Sequence, residues 1–370
     1  MSREGGDRYF QKGEQERLRC HFTEALEAYR TALTHYPQGA RLERLRCHQK
    51  IGDCLRMIGE FTASQENYRC ALSLAEEEGD ELEVADTLVG LGLSMRGRGE
   101  VEGAKRHLER ARRIYEEWED PEGEAFTLWA MGGLWRITGD LRLAKRSFEE
   151  ALSLFEGMDD PAGMGYSLCG LGGISRVMGH YGESLDSYTR AHQTLKEIED
   201  TFGTAYSFCG MANAHRMGGE FEKAFGYFSQ ATALYQEMGD RISYAYTLWG
   251  EGTAYKMVGR GEEALEAFDA AEVIFQATGD QRGRIYTLLG KGELALLKGD
   301  VDRANRMLQE AREVVESRPF RLEWCHCHLF QLLFRKEEGE KVSLEQVRRE
   351  YRRLGTNFPQ EEISLPLNLP

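Results

Sequence analysis

Small and hydrophobic residues recur along this chain every 40 positions, and between these recurrences the apolar residues follow helical spacing. An alanine column comprises Ala71, Ala111, Ala151, Ala191, Ala231, Ala271 and Ala311. A column of large residues comprises Tyr68, Leu108, Phe148, Tyr188, Phe228, Phe268 and Leu308. A glycine column comprises Gly59, Gly99, Gly139, Gly179, Gly219, Gly259 and Gly299. A period of this length predicts a stack of similar units rather than one globular core.

Each period predicts two helices. In the unit from 120 to 158, Asp120 is suited to cap a helix, and Pro121 is favoured at the first helical position. The apolar pattern then continues to Gly139, a residue type that commonly ends helices. A second apolar helical pattern follows and stops near Gly157. No alternation with a period of two competes with these patterns, so we expect an all-α protein.

One repeat shows a characteristic set of residues at fixed spacing, namely Leu91, Gly92, Met95, Gly99, Ala104, Leu108 and Ala111. This set resembles the tetratricopeptide repeat (TPR) family. Repeats of that family have 34 residues, whereas these have 40. They are similar to the longer-repeat subclass of kinesin light chains, cell-polarity G-protein regulators and bacterial regulatory proteins. The resemblance implies a right-handed superhelical solenoid of antiparallel helix pairs, in which the first helix of each pair lines the concave surface.

We expect one continuous solenoid over residues 1–355. Residues 1–40 form a shifted first repeat, residues 41–320 form seven regular repeats, and residues 321–355 form a degenerate capping hairpin. Residues 356–370 contain three prolines and are expected to be extended or disordered.

Composition and charge exclude several classes of function. With 47 basic and 62 acidic residues, the net charge of −15 argues against a nucleic-acid binder. No apolar run approaches the ~18 residues that a membrane helix needs. The polar start lacks a secretory signal, and eight scattered cysteines do not resemble a disulfide scaffold. We therefore expect a cytoplasmic protein that is not inserted into a membrane.

One column is basic in six successive repeats, which is unexpected in an acidic chain. This arginine ladder comprises Arg56, Arg96, Arg136, Arg176, Arg216 and Lys256. Arginine forms bidentate hydrogen bonds with carboxylates and phosphates. The ladder therefore indicates a groove that binds an acidic, extended peptide. A second interpretation is that the cations were inherited by repeat duplication or pair with acidic residues on the neighbouring helix.

Two further columns share the predicted concave face. An aromatic column comprises Phe126, Tyr166, Tyr206, Tyr246 and Tyr286, and a column of small residues includes Gly170, Gly210 and Gly250. Glycine within a helix costs about 0.5–1 kcal/mol relative to alanine. Either the tyrosines of one repeat fill the space over the glycines of the next, or the glycines clear a floor for a ligand. Trp129 and Trp249 occupy equivalent positions and are further candidates for the groove lining.

Other motifs are weak candidates for chemistry. The run Cys325-His326-Cys327-His328 lacks the spacing of a structural zinc site. Alternate residues on a helix also point to different faces, so these four side chains cannot all meet one metal ion. No phosphate-binding loop, H-E-x-x-H motif or G-x-S-x-G motif occurs. We therefore predict no catalytic residues, no metal site and no cofactor.

The leading hypothesis is a non-enzymatic scaffold or adaptor that holds an extended, acidic peptide or protein segment in its concave groove. The alternative is a solenoid that binds a planar, anionic or lipid-like small molecule between the tyrosines and glycines. The tail from Pro359 to Leu367 is acidic and then apolar. It could occupy the same basic, aromatic groove in this molecule or a neighbour, although a disordered end is the simpler interpretation.

Overall fold

The computed structural model describes residues 2–358 and 363–370. These residues contain eighteen α-helices and no β-strand. In chain order the helices are α1 (Arg3–Leu18), α2 (Phe22–His35), α3 (Arg41–Met57), α4 (Phe61–Glu78), α5 (Glu81–Gly97), α6 (Val101–Glu117), α7 (Pro121–Thr138), α8 (Leu141–Gly157), α9 (Pro161–Met178), α10 (Tyr181–Glu197), α11 (Thr201–Met217), α12 (Phe221–Met238), α13 (Arg241–Met257), α14 (Gly261–Thr278), α15 (Gln281–Leu297), α16 (Val301–Glu316), α17 (Arg321–Glu337) and α18 (Glu345–Leu354).

Local sequence signals set the ends of these helices as predicted. The Asp120 carboxylate accepts hydrogen bonds from the backbone N–H groups of Glu122 and Gly123, and Pro121 opens α7. Gly139 ends α7 with φ +83°, a left-handed conformation that side chains disfavour. The predicted all-α solenoid of helix pairs is therefore confirmed.

The large-residue column supplies the central contact between repeats. The ring of Phe148 in α8 lies between Gly132 of its own repeat and Gly170 of the next. A methyl group at Gly132 would approach this ring to 2.9 Å, and one at Gly170 would approach it to 2.5 Å. Tyr68, Tyr188 and Phe268 lie between two glycines in the same way. The absence of side chains on both sides lets each ring pack directly against two helix backbones.

The superhelix winds tightly enough for distant repeats to touch. Arg321 donates a hydrogen bond of 2.8 Å to Asp140, 181 residues away in sequence. The ring of Phe320 lies against Gly99, and Thr278 lies against Gly59. These contacts join the turns after α3, α5 and α7 to the later repeats. The inner helices therefore surround a narrow groove, a feature that depends on the superhelical pitch.

The tail packs against the solenoid wherever the structure describes it. The Thr356 hydroxyl donates to the Val177 carbonyl at 2.6 Å, and the Asn357 N–H donates to the Met178 carbonyl at 3.2 Å. Residues 363–370 are non-helical, and Leu367 and Leu369 are buried. The acidic part of the predicted tail motif, Pro359, Gln360, Glu361 and Glu362, lies outside the described residues.

The glycine contacts give opposite expectations for two Gly-to-Ala changes. Gly170→Ala forces a methyl group against the Phe148 ring, so we expect a loss of about 1–3 kcal/mol in unfolding free energy. Gly226→Ala is the matched control in α12, where nothing lies within 4 Å of the added carbon. It is expected to gain roughly 0.5–1 kcal/mol. Urea unfolding followed by circular dichroism measures both, and equal effects would contradict the packing role of Gly170.

Candidate ligand-binding groove

The arginine ladder lies along the inner side of the superhelix. Its residues occupy the last turns of α3, α5, α7, α9, α11 and α13. These first helices pack against one another from repeat to repeat. The ladder therefore brings like charges close together on one partly buried surface.

Burial and mutual repulsion both act on the ladder. The pKa of Arg96 is lowered to about 10, mainly by burial and then by the positive charges of Arg136 and Arg56. The pKa of Arg216 is lowered to about 9 by burial, with Arg176 as the next cause. The charged form of each guanidinium is thus destabilised, and an anion placed among them would be strongly favoured.

The two ends of the ladder are already paired. Arg56 lies 3.5 Å from the Asp53 carboxylate in its own helix. Lys256 forms a buried ion pair of 2.7 Å with Glu293, a residue of α15 that is fully buried. Arg216 donates to the side-chain oxygen of Asn213 and to groups of the C-terminal tail. The interpretation in which ladder cations pair with acidic residues on the neighbouring helix therefore holds for Lys256, whereas Arg56 pairs within its own helix.

The middle of the ladder lacks such partners. Arg96 donates to the Ala130 carbonyl at 3.2 Å and lies over the Trp129 ring. The guanidinium groups of Arg136 and Arg176 make no hydrogen bond or ion pair within the described ranges. Their buried Nε atoms and Nη1 of Arg176 have no acceptor there. Unpaired buried donors are costly, so these two residues mark the part of the ladder that is chemically incomplete.

A cavity of about 130 Å³, which we call the basic cavity, lies beside these two arginines. Arg136, Arg176 and Arg282 line it together with Tyr206 and Trp249. None of its described lining residues is Asp or Glu. The buried hydroxyl of Tyr235, which has no partner among the described residues, also lines it. Three cations and several unsatisfied donors therefore surround a space sized for a small anionic group.

A neighbouring cavity of about 230 Å³, which we call the mixed cavity, contains both signs of charge. Arg56, Arg96 and Arg136 line one part of it, while Asp240 and Asp280 cap helices in another. Burial raises the pKa of both aspartates, against the pull of the nearby arginines. Because cations and carboxylates share this cavity, it favours an anion less than the basic cavity does.

The sequence did not single out Arg282, which lines both cavities. It pairs with the buried carboxylate of Glu323 at 2.5 Å, a contact between α15 and α17. Its column contains Phe202 and Ile242 in the two preceding repeats, so no periodic signal marks it. Only the curvature of the superhelix brings Arg282 opposite Arg136.

The aromatic column divides between structural and cavity-lining roles. The Tyr166 hydroxyl donates to Asp200 at 2.8 Å, and the Tyr286 hydroxyl donates to Glu323 at 2.9 Å. Tyr246 donates to Asp280 at 3.3 Å and lines both cavities. Hydrogen bonds thus fix three of the predicted tyrosines in position.

The remaining aromatic candidates also differ in their surroundings. Phe126 is 43% exposed and stacks on Trp129 with ring centroids 5.6 Å apart. Tyr206 and Trp249 line the basic cavity, and Arg216 lies over the Trp249 ring. The basic cavity therefore collects Tyr206, Tyr246, Tyr286 and Trp249, while Phe126 and Trp129 lie further along the inner surface.

The space over the glycine column is filled by protein side chains, but the predicted tyrosines are not the residues that fill it. Rings of the large-residue column fill the space beside its members: Phe148 beside Gly170, Tyr188 beside Gly210 and Phe228 beside Gly250. These rings come from the preceding repeat, and they are not the tyrosines of the aromatic column. Gly210 also lines the basic cavity, so it alone of these three borders the candidate ligand space.

The cysteine–histidine run is part of the C-terminal hydrophobic core. Cys325 and Cys327 are buried, and the His326 ring nitrogen lies 2.7 Å from the Tyr351 hydroxyl. Burial lowers the pKa of His326 to about 4, with Glu323 opposing and Arg282 assisting this change. No group of three or more potential metal-ligating side chains occurs among residues 2–358 and 363–370. None of the described helices combines the length and apolar character that crossing a bilayer requires.

Comparisons of sequence and structure agree on the fold. The family model for the tetratricopeptide repeat matches residues 83–157 and 164–237. No curated protein matches the sequence. The structure resembles a Rap protein complexed with competence and sporulation factor, with a TM-score of 0.61 and 14% identity, covering 95% of this chain and 99% of that one.

Two further solved structures have the same fold. One is the Rap conjugation gene regulator of the plasmid pLS20 in complex with a Phr peptide, with a TM-score of 0.63 and 19% identity over 73% of this chain and 74% of that one. The other is aspartyl phosphate phosphatase F from Bacillus subtilis, with a TM-score of 0.56 and 14% identity over 85% of this chain and 94% of that one. At these identities the similarity establishes the fold.

The buried His326 predicts a pH dependence of stability. Its neutral form is favoured in the folded state, whereas the unfolded chain takes up a proton near pH 6.5. The contribution of neutral His326 to the free energy of unfolding is therefore fully present above about pH 6.5. It falls toward pH 4, by about 1.4 kcal/mol per pH unit where the dependence is steepest. Urea unfolding between pH 4 and 7.5 should show a flatter curve for His326→Gln. His180→Gln, at a half-exposed position, controls for the loss of a histidine. Parallel curves for wild type and His326→Gln would contradict the assignment.

Proposed function

Since the chain is a tetratricopeptide repeat protein, we propose that it is a non-enzymatic scaffold that binds an extended, acidic segment of a peptide or protein in its concave groove. One acidic side chain of this segment enters the basic cavity between Arg136 and Arg176. A second acidic side chain of the segment meets Arg96, which also lacks a carboxylate partner among the described residues. The observation that supports this proposal most directly is the set of buried, unpaired donor atoms around the basic cavity.

Charge and hydrogen bonding support an anionic partner. Arg136 and Arg176 contribute planar donors without a carboxylate partner, whereas Arg282 in the same cavity is paired with Glu323. A carboxylate would accept the free Nε and Nη1 hydrogens of Arg176 and remove an unfavourable buried state. The Debye length in physiological salt is about 8 Å, so the net negative charge of the chain does not cancel this local field.

The spacing of the ladder supports an extended chain. Packed helices lie ~8–10 Å apart, and an extended peptide rises ~3.3 Å per residue. Acidic side chains at every third position would therefore meet successive rungs of the ladder. A continuous groove with one cation per repeat fits such a segment better than it fits a folded surface.

The names of two structural neighbours support the class of partner. One neighbour is a Rap protein complexed with competence and sporulation factor, and another is a Rap regulator in complex with a Phr peptide. By analogy, a peptide or protein segment is the partner we propose for this chain. The acidic character of the partner comes from the chain's own arginines.

Cavity size favours a segment of a peptide over the alternative of a planar or lipid-like ligand. The basic and mixed cavities measure about 130 and 230 Å³. Pockets for drug-sized ligands usually measure ~300–1,000 Å³. Side chains of a peptide fit these spaces one at a time, whereas a large planar ligand exceeds either. Native mass spectrometry of protein purified from its own host would reveal a small bound molecule and contradict this choice.

Binding of a labelled peptide tests the proposal. The probe is (Glu-Ser-Ala)₄ with a fluorescent label, and the label control is (Gln-Ser-Ala)₄. The Arg136→Gln/Arg176→Gln double variant is expected to raise the Kd of the acidic probe by about tenfold or more, because charge-assisted hydrogen bonds contribute ~1.5–3 kcal/mol each. Fluorescence anisotropy measures the Kd, which should also rise with added salt.

A matched double variant keeps the change in net charge constant. Arg146→Gln/Arg190→Gln removes two arginines from the exposed sides of α8 and α10. It should leave the Kd within about twofold, as expected for exposed ion pairs. The proposal fails if both double variants weaken binding equally, or if the glutamate and glutamine peptides bind with equal affinity.

The name of a third neighbour suggests a test of the non-enzymatic part. That neighbour is named an aspartyl phosphate phosphatase. Aspartyl phosphate is an acyl phosphate, so acetyl phosphate is the simplest probe of such an activity. Acetyl phosphate incubated with the protein should release phosphate no faster than acetyl phosphate in buffer alone. Protein-dependent release of phosphate would contradict a non-enzymatic function.

A further inference from the structure

The C-terminal residues of the chain return to the concave groove beside the ladder. Leu367 and Leu369 retain only 1% and 3% of their exposed surface. Both belong to the hydrophobic cluster that contains Trp249 and Tyr286. Pro370 lines the basic cavity. The tail thus reaches the same part of the groove that holds the unpaired arginines.

Groups of the groove satisfy the tail's polar atoms. The Leu367 N–H donates to Oε2 of Glu293 at 2.7 Å, and the Leu369 carbonyl accepts from Nη2 of Arg216 at 3.0 Å. Between them, the Asn368 amide donates to the backbone carbonyl of Arg216 at 3.0 Å and accepts from Nη1 of the same residue. Backbone and side-chain groups of three consecutive tail residues are therefore recognised together.

The residues that hold the tail belong to the proposed binding surface. Arg216 is a rung of the ladder, and Glu293 is the buried partner of the next rung, Lys256. Among the described residues, the Arg216 guanidinium donates hydrogen bonds only to Asn213 and to the tail. Because Arg216 is fully buried, loss of the tail would leave a guanidinium without enough acceptors.

We propose that residues 363–370 act as an internal competitor for the groove. Arg216 and Glu293 form a subsite for an extended aliphatic–asparagine–aliphatic segment, and Leu367, Asn368 and Leu369 occupy it in the free protein. A partner segment that runs along the whole ladder must displace them. This inference rests on the proposed function for the identity of the competing partner, whereas the subsite itself rests on the tail contacts.

The alternation of the tail matches its surroundings. In an extended chain, successive side chains point in opposite directions. Leu367 and Leu369 can therefore face the apolar cluster while Asn368 faces Arg216. The asparagine side chain supplies one donor and one acceptor, and both are used. Replacement by alanine would remove both contacts without changing the leucines.

Release of the tail should strengthen binding of other segments. A competitor that occupies the groove for nine-tenths of the time raises the apparent Kd about tenfold. We expect Leu367→Ser/Leu369→Ser and Asn368→Ala each to lower the Kd of the labelled (Glu-Ser-Ala)₄ probe, the first by about tenfold. Ser364→Ala, at an exposed tail position, is the matched control and should leave the Kd unchanged.

A second probe tests the subsite directly. The labelled octapeptide Ile-Ser-Leu-Pro-Leu-Asn-Leu-Pro, which reproduces residues 363–370, should bind the Leu367→Ser/Leu369→Ser protein at least about tenfold tighter than the intact chain. The same octapeptide with alanine in place of asparagine should bind more weakly. Hydrogen exchange should show faster exchange at the Leu367 amide in the Asn368→Ala protein, while circular dichroism confirms that the solenoid is folded.

The two probes separate the two proposals. If the acidic probe binds the intact chain and all tail variants equally well, the proposal that the tail competes for the groove is overturned and the proposed function stands. If the acidic probe binds none of them but the octapeptide prefers the tail-released protein, the proposed acidic partner is overturned and the subsite stands. If the octapeptide binds neither the intact nor the tail-released protein, the subsite is overturned.

Discussion

The contact that governs this solenoid is an aromatic ring held between two glycines. Phe148 touches the backbone of its own repeat at Gly132 and that of the following repeat at Gly170. One ring therefore sets both the distance within a helix pair and the distance to the next pair. Because the same contact recurs along the chain, small local distances accumulate into the curvature of the whole superhelix. The position of every groove residue depends on that curvature.

Curvature also concentrates charge. The ladder places its cations on neighbouring inner helices, where burial and then the positive charge of neighbouring rungs lower the pKa of Arg96 and Arg216. The excess of acidic residues elsewhere in the chain does not cancel the positive potential of the ladder, because salt screens charges that lie further away than the Debye length of about 8 Å. At both ends of the ladder, Asp53 and Glu293 provide carboxylates. Arg136 and Arg176 form no ion pair with a carboxylate among the described residues, which is why we propose an external anion as their partner.

The sequence predicted features that repeat and missed features that depend on long-range geometry. Helix ends followed from local chemistry, as the Asp120 cap and the left-handed Gly139 demonstrate. The role of Gly170 stayed open in the sequence, because periodicity cannot tell which ring will lie beside a glycine. Arg282 carried no periodic signal, and its approach to Arg136 requires several repeats to turn through space. The tail's fit beside Arg216 depends on the same turn, so composition left it indistinguishable from a disordered end.

Contacts between distant repeats change how the solenoid responds to force. In an open superhelix, stretching distributes small rotations over many repeat interfaces, and the molecule extends like a soft spring. Here the Arg321–Asp140 hydrogen bond and the packing of Phe320 on Gly99 tie one coil to the next. Extension along the superhelix axis must first break these contacts, so we expect the molecule to be stiffer at small extensions than at large ones. We expect a solenoid closed by such contacts to vary less in groove width than an open one.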